Sequence, residues 1–179
     1  MTEDPAEANA RVDRAIDRLN SAIGDIRTFI EGLGGEPSAA SIGSRLAGLA
    51  DELLTSGARM ALDLDLADVA EVDERLSTPA ATQLLQIARE ALSNAVRHSG
   101  APRARLSLRA HDAEAELSVE DNGVGFDPTT PAASGHLGFA NMRDRASSVG
   151  GAIEVTSRIG GGTRIIVRLP LASPETERP

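Results

Sequence analysis

The chain has 179 residues, 41% of them hydrophobic and 25% charged, and these proportions argue against a disordered or fibrous protein. Its 27 acidic and 18 basic residues give a net charge of −9, which argues against a nucleic-acid-binding surface, since such surfaces are basic. All the basic residues are Arg and there is no Cys, which excludes the Walker A phosphate loop, Schiff-base chemistry, thiol nucleophiles and disulfides.

The first predicted element is a helical rod in residues 1–33. Its apolar residues recur at alternating spacings of four and three, which predicts the seam of a coiled coil or helix bundle: Val12, Ile16, Leu19, Ile23, Ile26, Ile30 and Leu33. A rise of 1.5 Å per residue gives the seam from Val12 to Leu33 a length of about 33 Å. The alternative, a single helix packed on its own domain, would usually have a wider apolar stripe.

Glycines and a proline make residues 34–40 a predicted hinge, and a globular domain is predicted in residues 41–171. It opens with a helix from Ser41 to about Ser56 and a half-buried strand over Met60–Leu66, where apolar and polar residues alternate. A long helix is predicted to begin after Thr78 and Pro79, which supply a cap and a first-turn proline, and to end near Gly100.

The second half of the domain alternates strands with one helix. The predicted elements are strands Arg103–Ala110 and Glu114–Glu120 around a turn near His111 and Asp112, a mobile loop over Asp121–Leu137, a helix from Gly138 to about Val149, strands Ala152–Ser157 and Thr163–Leu169, and a disordered tail in residues 172–179. Strands and helices mixed in this way predict an α+β fold, a two-layer sandwich with a helical rod attached.

The long helix has one apolar and one polar half. Within about 80° of Glu90, at 100° per residue, lie six further polar residues: Gln83, Gln86, Ser93, Asn94, Arg97 and His98. A carboxylate and an amide four residues apart, followed by Arg and His one turn later, can hold a metal ion together with phosphate oxygens. A merely solvated helix face is the alternative.

Three glycine-rich segments follow the long helix. Gly123 and Gly125 allow a flat ligand to lie against the backbone after a strand, where Asp121 can accept a hydrogen bond from an exocyclic amine such as that of adenine. Gly135, Leu137 and Gly138 lead into a helix whose free N–H groups can bind an anion. The last segment is Gly160–Thr163, at a strand entry. Taken singly, the first segment can also be a glycine-rich turn capped by Asp121, the second a loop that enters an ordinary helix, and the third a simple hairpin turn.

Taken in order, four short segments are more specific: Glu90–Asn94, Asp121–Gly125, Gly135–Gly138 and Gly161–Thr163. They resemble the N box and the three glycine boxes of the GHKL ATPase superfamily, which includes sensor histidine kinases, DNA gyrase and mismatch-repair ATPases. The residues in and around these segments are most similar to those of histidine kinases that work with LuxR-type response regulators. The four stretches read R-E-A-L-S-N-A-V-R-H-S-G, D-N-G-V-G-F-D-P, G-H-L-G-F-A-N-M-R-D-R and G-G-G-T-R-I-I-V-R-L-P. The resemblance covers about Ser41 to Pro170 and implies the Bergerat fold, a mixed sheet with helices on one face.

The resemblance also implies roles for individual residues in binding ATP or ADP with Mg²⁺. Asp121 would accept the adenine amino hydrogen bond, with Thr163 and Gly123 nearby and Gly125 leaving room for the ring. Asn94 would ligate Mg²⁺ between the phosphates, and Glu90 would polarise a water or the attacking nitrogen. The remaining residues would lie near the phosphates or close the lid over them: Arg97, His98, Gly135, Leu137 and Gly138.

The implied activity is transfer of the ATP γ-phosphoryl group to a histidine for relay to a response-regulator aspartate. The rod resembles the second helix of the dimerisation domain, so the acceptor helix is missing, and the three histidines present do not replace it: His98, His111 and His136. We therefore expect a cytoplasmic C-terminal part of a longer sensor that binds nucleotide but does not phosphorylate itself, with no nucleic-acid partner, no direct membrane contact and dimerisation through the heptad helix.

Two other functions share parts of this pattern. A GHKL serine kinase acting on a regulatory protein has the same fold, but such a kinase does not need the heptad rod. A nucleotide-sensing interaction module without catalysis would not need both Glu90 and Asn94, because binding alone can dispense with the base.

Overall fold

The computed structural model describes residues 40–55, 60–128 and 136–173. The predicted rod, nearly all of the predicted hinge and the end of the predicted tail lie outside these ranges. The elements are helices α1 (Ile42–Thr55), α2 (Val69–Arg75), α3 (Thr78–His98) and α4 (His136–Ser148) and strands β1 (Ala61–Asp65), β2 (Arg103–His111), β3 (Glu114–Asp121), β4 (Ala152–Ser157) and β5 (Thr163–Pro170).

The strands of the described ranges form one five-stranded sheet in the order β1-β2-β3-β5-β4. β1 runs parallel to β2, and the other pairs are antiparallel. The central register places Asp121, the last residue of β3, opposite Thr163, the first residue of β5. The α+β prediction is confirmed, and the sheet is mixed because β1 reaches β2 through the helices α2 and α3.

The helices cover one face of the sheet, with α3 in contact with both α1 and α4. Alternate residues of β2, β3 and β5 point into this interface and are buried: Leu106, Leu108, Leu117, Val119, Ile165, Val167 and Leu169. They meet Leu84, Ile87 and Leu92 of α3, which are also buried. Each such side chain contributes about 1.5–3 kcal/mol through burial, so α3 is fixed in position by the core.

The other face of the sheet carries rows of opposite charge. Arg105, Glu120 and Arg164 are cross-strand neighbours, as are Arg109, Glu116 and Arg168. The Arg168 Nε atom donates to Glu116 Oε2 at 2.9 Å. At the edge, Asp65 accepts hydrogen bonds from Arg109 and Arg105, which lower the pKa of its carboxyl group. A charged face of this kind stays in water, which explains why helices pack on the opposite face only.

Several predicted helix and strand boundaries agree with the structure, and a few differ from it. Ser41 caps α1, since Ser44 N donates to its Oγ at 3.1 Å. The cap of α3 was wrongly predicted to be Thr78: Ser77 Oγ accepts from Ala80 N at 3.3 Å, and Thr78 is already helical. The helix ends at His98 with Ser99 as its C-cap, which agrees with the predicted end near Gly100. Ala172, in the predicted tail, is still bonded to Arg75, its N–H donating to the Arg75 carbonyl at 2.9 Å.

Two features of the edge region were not predicted. Helix α2 was missed because it has only seven residues, although Val69, Val72 and Leu76 have helical spacing and Val72 is buried. Strand β1 is less buried than its alternating pattern indicated, with Leu64 40% exposed, because it lies at the edge of the sheet.

In the three described ranges, no helix combines the length and the apolar character needed to cross a membrane.

Candidate functional site

Three strand ends and one helix end meet at the same end of the sheet. Asp121 closes β3, Thr163 opens β5, and Ser157 closes β4 directly opposite Thr163. Helix α3 reaches this end with its last turn, where Ser99 follows the helix. The sheet register therefore brings together Asp121 and Thr163, which are about 40 residues apart in the chain.

Asp121 is the only ionisable side chain that is buried in the described part of the chain, with 9% of its surface exposed. Its Oδ1 accepts a hydrogen bond from Gly123 N at 2.9 Å. Burial raises the pKa of this carboxyl group, and the backbone amides of Gly123 and Thr163 oppose that shift by donating hydrogen bonds to it. A carboxylate held at an energetic cost at a strand end is typical of a functional site.

The loop after β3 is tied to the end of α3 by backbone contacts. Val124 N donates to the Ser99 carbonyl at 2.8 Å. A β-carbon on Gly123 would lie 2.2 Å from the same Ser99 oxygen, closer than any real contact. Gly123 is therefore required for the loop to reach the helix, which fixes Asp121 relative to the polar face of α3.

We expect Gly123→Ala to lower the free energy of unfolding by about 3 kcal/mol, because backbone atoms must move to admit the methyl group. The matched control is Gly48→Ala in α1, where a β-carbon would meet nothing within 4 Å. That change should raise stability by about 0.5–1 kcal/mol. Urea unfolding of both variants measures the effect, and wild-type stability of Gly123→Ala would show that the approach to Ser99 is not needed.

A second glycine docks the loop on the β4–β5 turn. Gly125 has φ +57°, and a β-carbon there would lie 2.1 Å from the Arg158 carbonyl oxygen. Gly160 N donates to the Val124 carbonyl at 2.7 Å across the same contact. The resemblance gives Gly125 the role of leaving room for a ring, and in the structure the space left by its missing β-carbon is filled by this turn.

The predicted polar pair of α3 faces the start of α4. Glu90 and Asn94 are half-buried, and a β-carbon on Gly138 would lie 2.5 Å from Glu90 Oε1 and 3.6 Å from Asn94 Nδ2. Arg97 and His98 are exposed in the last turn of α3. Gly135 lies outside the described residues, and of Leu137 only the backbone, in the first turn of α4, is described. The structure thus brings Glu90, Asn94 and Gly138 together.

Residues that sequence reasoning missed connect the parts of the site. Phe126 and Phe139 stack with ring centroids 5.4 Å apart, which joins the loop after β3 to the first turn of α4. Phe126 N donates to Ser157 Oγ at 2.9 Å, which joins the same loop to β4. Both phenylalanines directly follow a glycine in the motif segments, and that was the only signal in the sequence.

A metal ion at this site would need ligands from the substrate as well as from the protein. In the described ranges, no group of three or more acidic, His or Cys side chains gathers as a metal site. Mg²⁺ is nevertheless commonly bound through one or two oxygen ligands from the protein together with substrate phosphates. The amide oxygen of Asn94, beside the Glu90 carboxylate, fits such a shared site.

The family model described as "Histidine kinase-, DNA gyrase B-, and HSP90-like ATPase" matches residues 80–173. The nitrate/nitrite sensor protein NarX of Escherichia coli is 46% identical over 87 residues, which cover 49% of this chain and 14% of NarX. NarQ, a second nitrate/nitrite sensor of that species, is 31% identical over 178 residues, covering 98% of this chain and 30% of NarQ. The sensor histidine kinase LiaS of Bacillus subtilis is 39% identical over 103 residues, covering 58% and 28%. The chain thus matches less than a third of the length of these relatives.

Solved structures share the fold at low sequence identity. The blue-light activated histidine kinase of Erythrobacter litoralis superimposes with a TM-score of 0.62 at 20% identity, covering 74% of this chain and 42% of that one. The ATP binding domain of PrrB from Mycobacterium tuberculosis has a TM-score of 0.55 at 24% identity, covering 75% and 96%. These likenesses confirm the predicted α+β architecture.

Proposed function

Since the chain belongs to the histidine kinase-, DNA gyrase B- and HSP90-like ATPase family, we propose that it is the ATP-binding catalytic part of a two-component sensor histidine kinase. It would transfer the γ-phosphoryl group of ATP to a histidine on a dimerisation helix. The observation that carries the proposal is the buried Asp121 carboxylate, held opposite Thr163 and tied through Gly123 and Ser99 to the helix that carries Glu90 and Asn94.

The nucleotide would lie with its base at the strand end and its phosphates along α3. A carboxylate is an acceptor-only group, so Asp121 suits the amino group of adenine. The N–H groups at the start of α4 and the exposed Arg97 and His98 suit the negative phosphates. Because the chain contains no lysine, arginine is the only permanently cationic side chain that it can offer to the phosphates.

Phosphoryl transfer needs mainly positioning and charge neutralisation from the protein. Asn94 is the residue that would hold Mg²⁺, and the bound ion would neutralise charge between the phosphates. Glu90 lies one helical turn before Asn94 on the same face of α3. In this position its carboxylate would orient the attacking imidazole and accept its proton, which is the work of a general base.

The partners follow from the resemblance and from the sensor relatives. The proposed protein acts in the cytoplasm, dimerises through the apolar seam of residues 12–33, and passes the phosphoryl group to the aspartate of a LuxR-type response regulator. The matches to NarX and NarQ, both named sensor proteins, support a place in a signalling relay. The acidic net charge supports the absence of a nucleic-acid partner.

Nucleotide-linked stabilisation tests the proposal. Mg-ADP at a hundred times its dissociation constant should raise the free energy of unfolding by about 2.7 kcal/mol. Mg-GDP at the same concentration is the control, since it has the same phosphates and a carbonyl in place of the amino group. An unchanged melting temperature with both ADP and ATP at millimolar concentration would refute the proposed function.

A further inference from the structure

The loop after β3 contains Asn122 and Gly123, the one Asn-Gly pair in the sequence. In peptides this pair is chemically labile, because the glycine backbone nitrogen can attack the amide carbon of the asparagine side chain and release ammonia. A following glycine favours the attack, since it has no β-carbon to obstruct it and leaves the backbone free to turn. Asn122 is exposed to water in the structure. The pair therefore meets the chemical requirements of a deamidation site.

Deamidation would change the main chain at the point where the loop is docked. Gly123 N loses its proton to hydroxide and forms a bond to Asn122 Cγ, while the bond from Cγ to Nδ2 breaks and the leaving nitrogen takes up a proton from water to depart as ammonia. Water then opens the resulting cyclic imide to aspartate or isoaspartate. In isoaspartate the main chain is one carbon longer, so Gly123 could not keep its close approach to the Ser99 oxygen.

The fold engages both reacting groups in hydrogen bonds. Gly123 N donates to Asp121 Oδ1 at 2.9 Å, and this bond must break before the nitrogen can give up its proton to hydroxide. Asn122 Oδ1 accepts from Arg103 N at 3.1 Å, and Asn122 N donates to the Arg103 carbonyl at 3.2 Å. The asparagine is thus fixed to the first residue of β2, and the glycine nitrogen to the last side chain of β3. The reaction therefore requires a local opening of the loop, which costs free energy.

The bond to Asp121 restrains the attacking nitrogen itself. A carboxylate can only accept, and it forms stronger hydrogen bonds than a neutral acceptor does. Because Asp121 is buried, water competes little for this bond. We propose that Asn122 is a modification site, open to deamidation through Gly123, and that Asp121 keeps it unreactive in the folded protein by holding the Gly123 N–H group. No step of this reaction involves a nucleotide.

Mass spectrometry of the chain after incubation in mildly alkaline buffer tests this proposal. Trypsin cleaves after arginine, so it releases residues 110–143 as one fragment that contains both Asn122 and Asn141. In the folded wild type, Asn122 should deamidate at least about tenfold more slowly than in denaturing urea, because the loop must open first. Asn141 is the internal control, since the bulky Met142 follows it and Asn122 should be the faster site in urea. Equal rates at Asn122 in the two conditions would overturn the proposal.

Asp121→Ala should raise the deamidation rate at Asn122 in the folded chain about tenfold, the change expected when a hydrogen bond to a charged group is lost. The matched control, Asp121→Asn, keeps an oxygen that can accept from Gly123 N, so its rate should stay within about threefold of the wild type. If Asp121→Ala does not fold, Asp121→Val, which has a similar volume and no acceptor, replaces it. A slower reaction without the acceptor would identify Asp121 as a base that promotes deamidation, and would overturn its protective role.

Hydrogen exchange separates the Asp121 bond from a general loosening of the loop. Val124 N donates to the Ser99 carbonyl, so its exchange rate reports whether the loop remains docked. In Asp121→Ala this exchange rate should stay within about threefold of the wild type while deamidation rises. If both rates rise equally, docking of the whole loop protects the site, which overturns the role of Asp121. Absence of ADP binding would refute the proposed function without altering these rates, so the two failures are distinguishable.

Discussion

Asp121→Asn is expected to weaken the binding of Mg-ADP about 100-fold or more, the largest effect of any single substitution in the base site. The carboxylate oxygens accept from the backbone amides of Gly123 and Thr163 and remain able to accept from adenine. An asparagine oxygen would take over the backbone bonds and leave its NH₂ group facing the adenine amino group. Two donors would then meet in a buried position, where neither finds another partner.

The matched control is Glu120→Gln, which removes the same charge from the preceding residue of β3. Glu120 is exposed on the charged face of the sheet, between Arg105 and Arg164, so its loss should change the affinity for ADP less than twofold. Calorimetric titration of both variants separates local recognition from net charge. ADP affinity within threefold of the wild type in Asp121→Asn would remove Asp121 from the site.

Asp121→Asn should not destabilise the nucleotide-free protein. Burial raises the pKa of Asp121 above its ordinary value of 3.8, so the folded state binds its proton more tightly than the unfolded state does. The Asp121 contribution to stability therefore falls as pH rises from that ordinary value through the raised one, and stays low at neutral pH. Asp121→Asn should lack this pH dependence and melt at or above the wild-type temperature near neutral pH.

The sequence predicted most of the fold because its patterns are strong where the core is. Apolar and charged residues alternate in β2, β3 and β5, since one face of each strand is buried and the other carries charge rows, and the predicted ends fall within one residue of the observed ones. The sequence patterns did not predict features that depend on the order of the strands in the sheet or on the geometry of a helix end. The exposure of Leu64 depends on β1 being an edge strand, and the capping of α3 depends on which of two adjacent hydroxyls reaches the first turn.

The candidate site was less visible in the sequence than the fold. Glycine spacing marked the loops, and the polar stripe of α3 marked Glu90 and Asn94. The contacts that assemble these pieces are made by backbone atoms and by residues with no periodic pattern. Ser99 meets Gly123 through its carbonyl, and Ser157 meets Thr163 only because the strand register places them opposite each other.

Glu90→Gln is expected to abolish phosphoryl transfer while leaving nucleotide binding intact. Glutamine has nearly the same shape, so it keeps the contact with Gly138 at the start of α4, but it cannot accept a proton. Loss of a general base typically slows a reaction by about 10²–10⁴-fold. The assay mixes the chain with a separate dimerisation fragment that carries the acceptor histidine, and follows labelled phosphate from ATP onto that fragment.

Two controls make this assay decisive. Glu52→Gln removes a carboxylate that pairs with Arg89 on α3 at 3.0 Å, so it tests the loss of a charge beside the same helix and should leave transfer within twofold. Acid treatment of the product distinguishes the acceptors, because phosphohistidine is hydrolysed in acid and phosphoserine survives. Acid-stable label would support the serine kinase alternative, and undiminished transfer by Glu90→Gln would exclude Glu90 as the base, since an amide cannot take the imidazole proton.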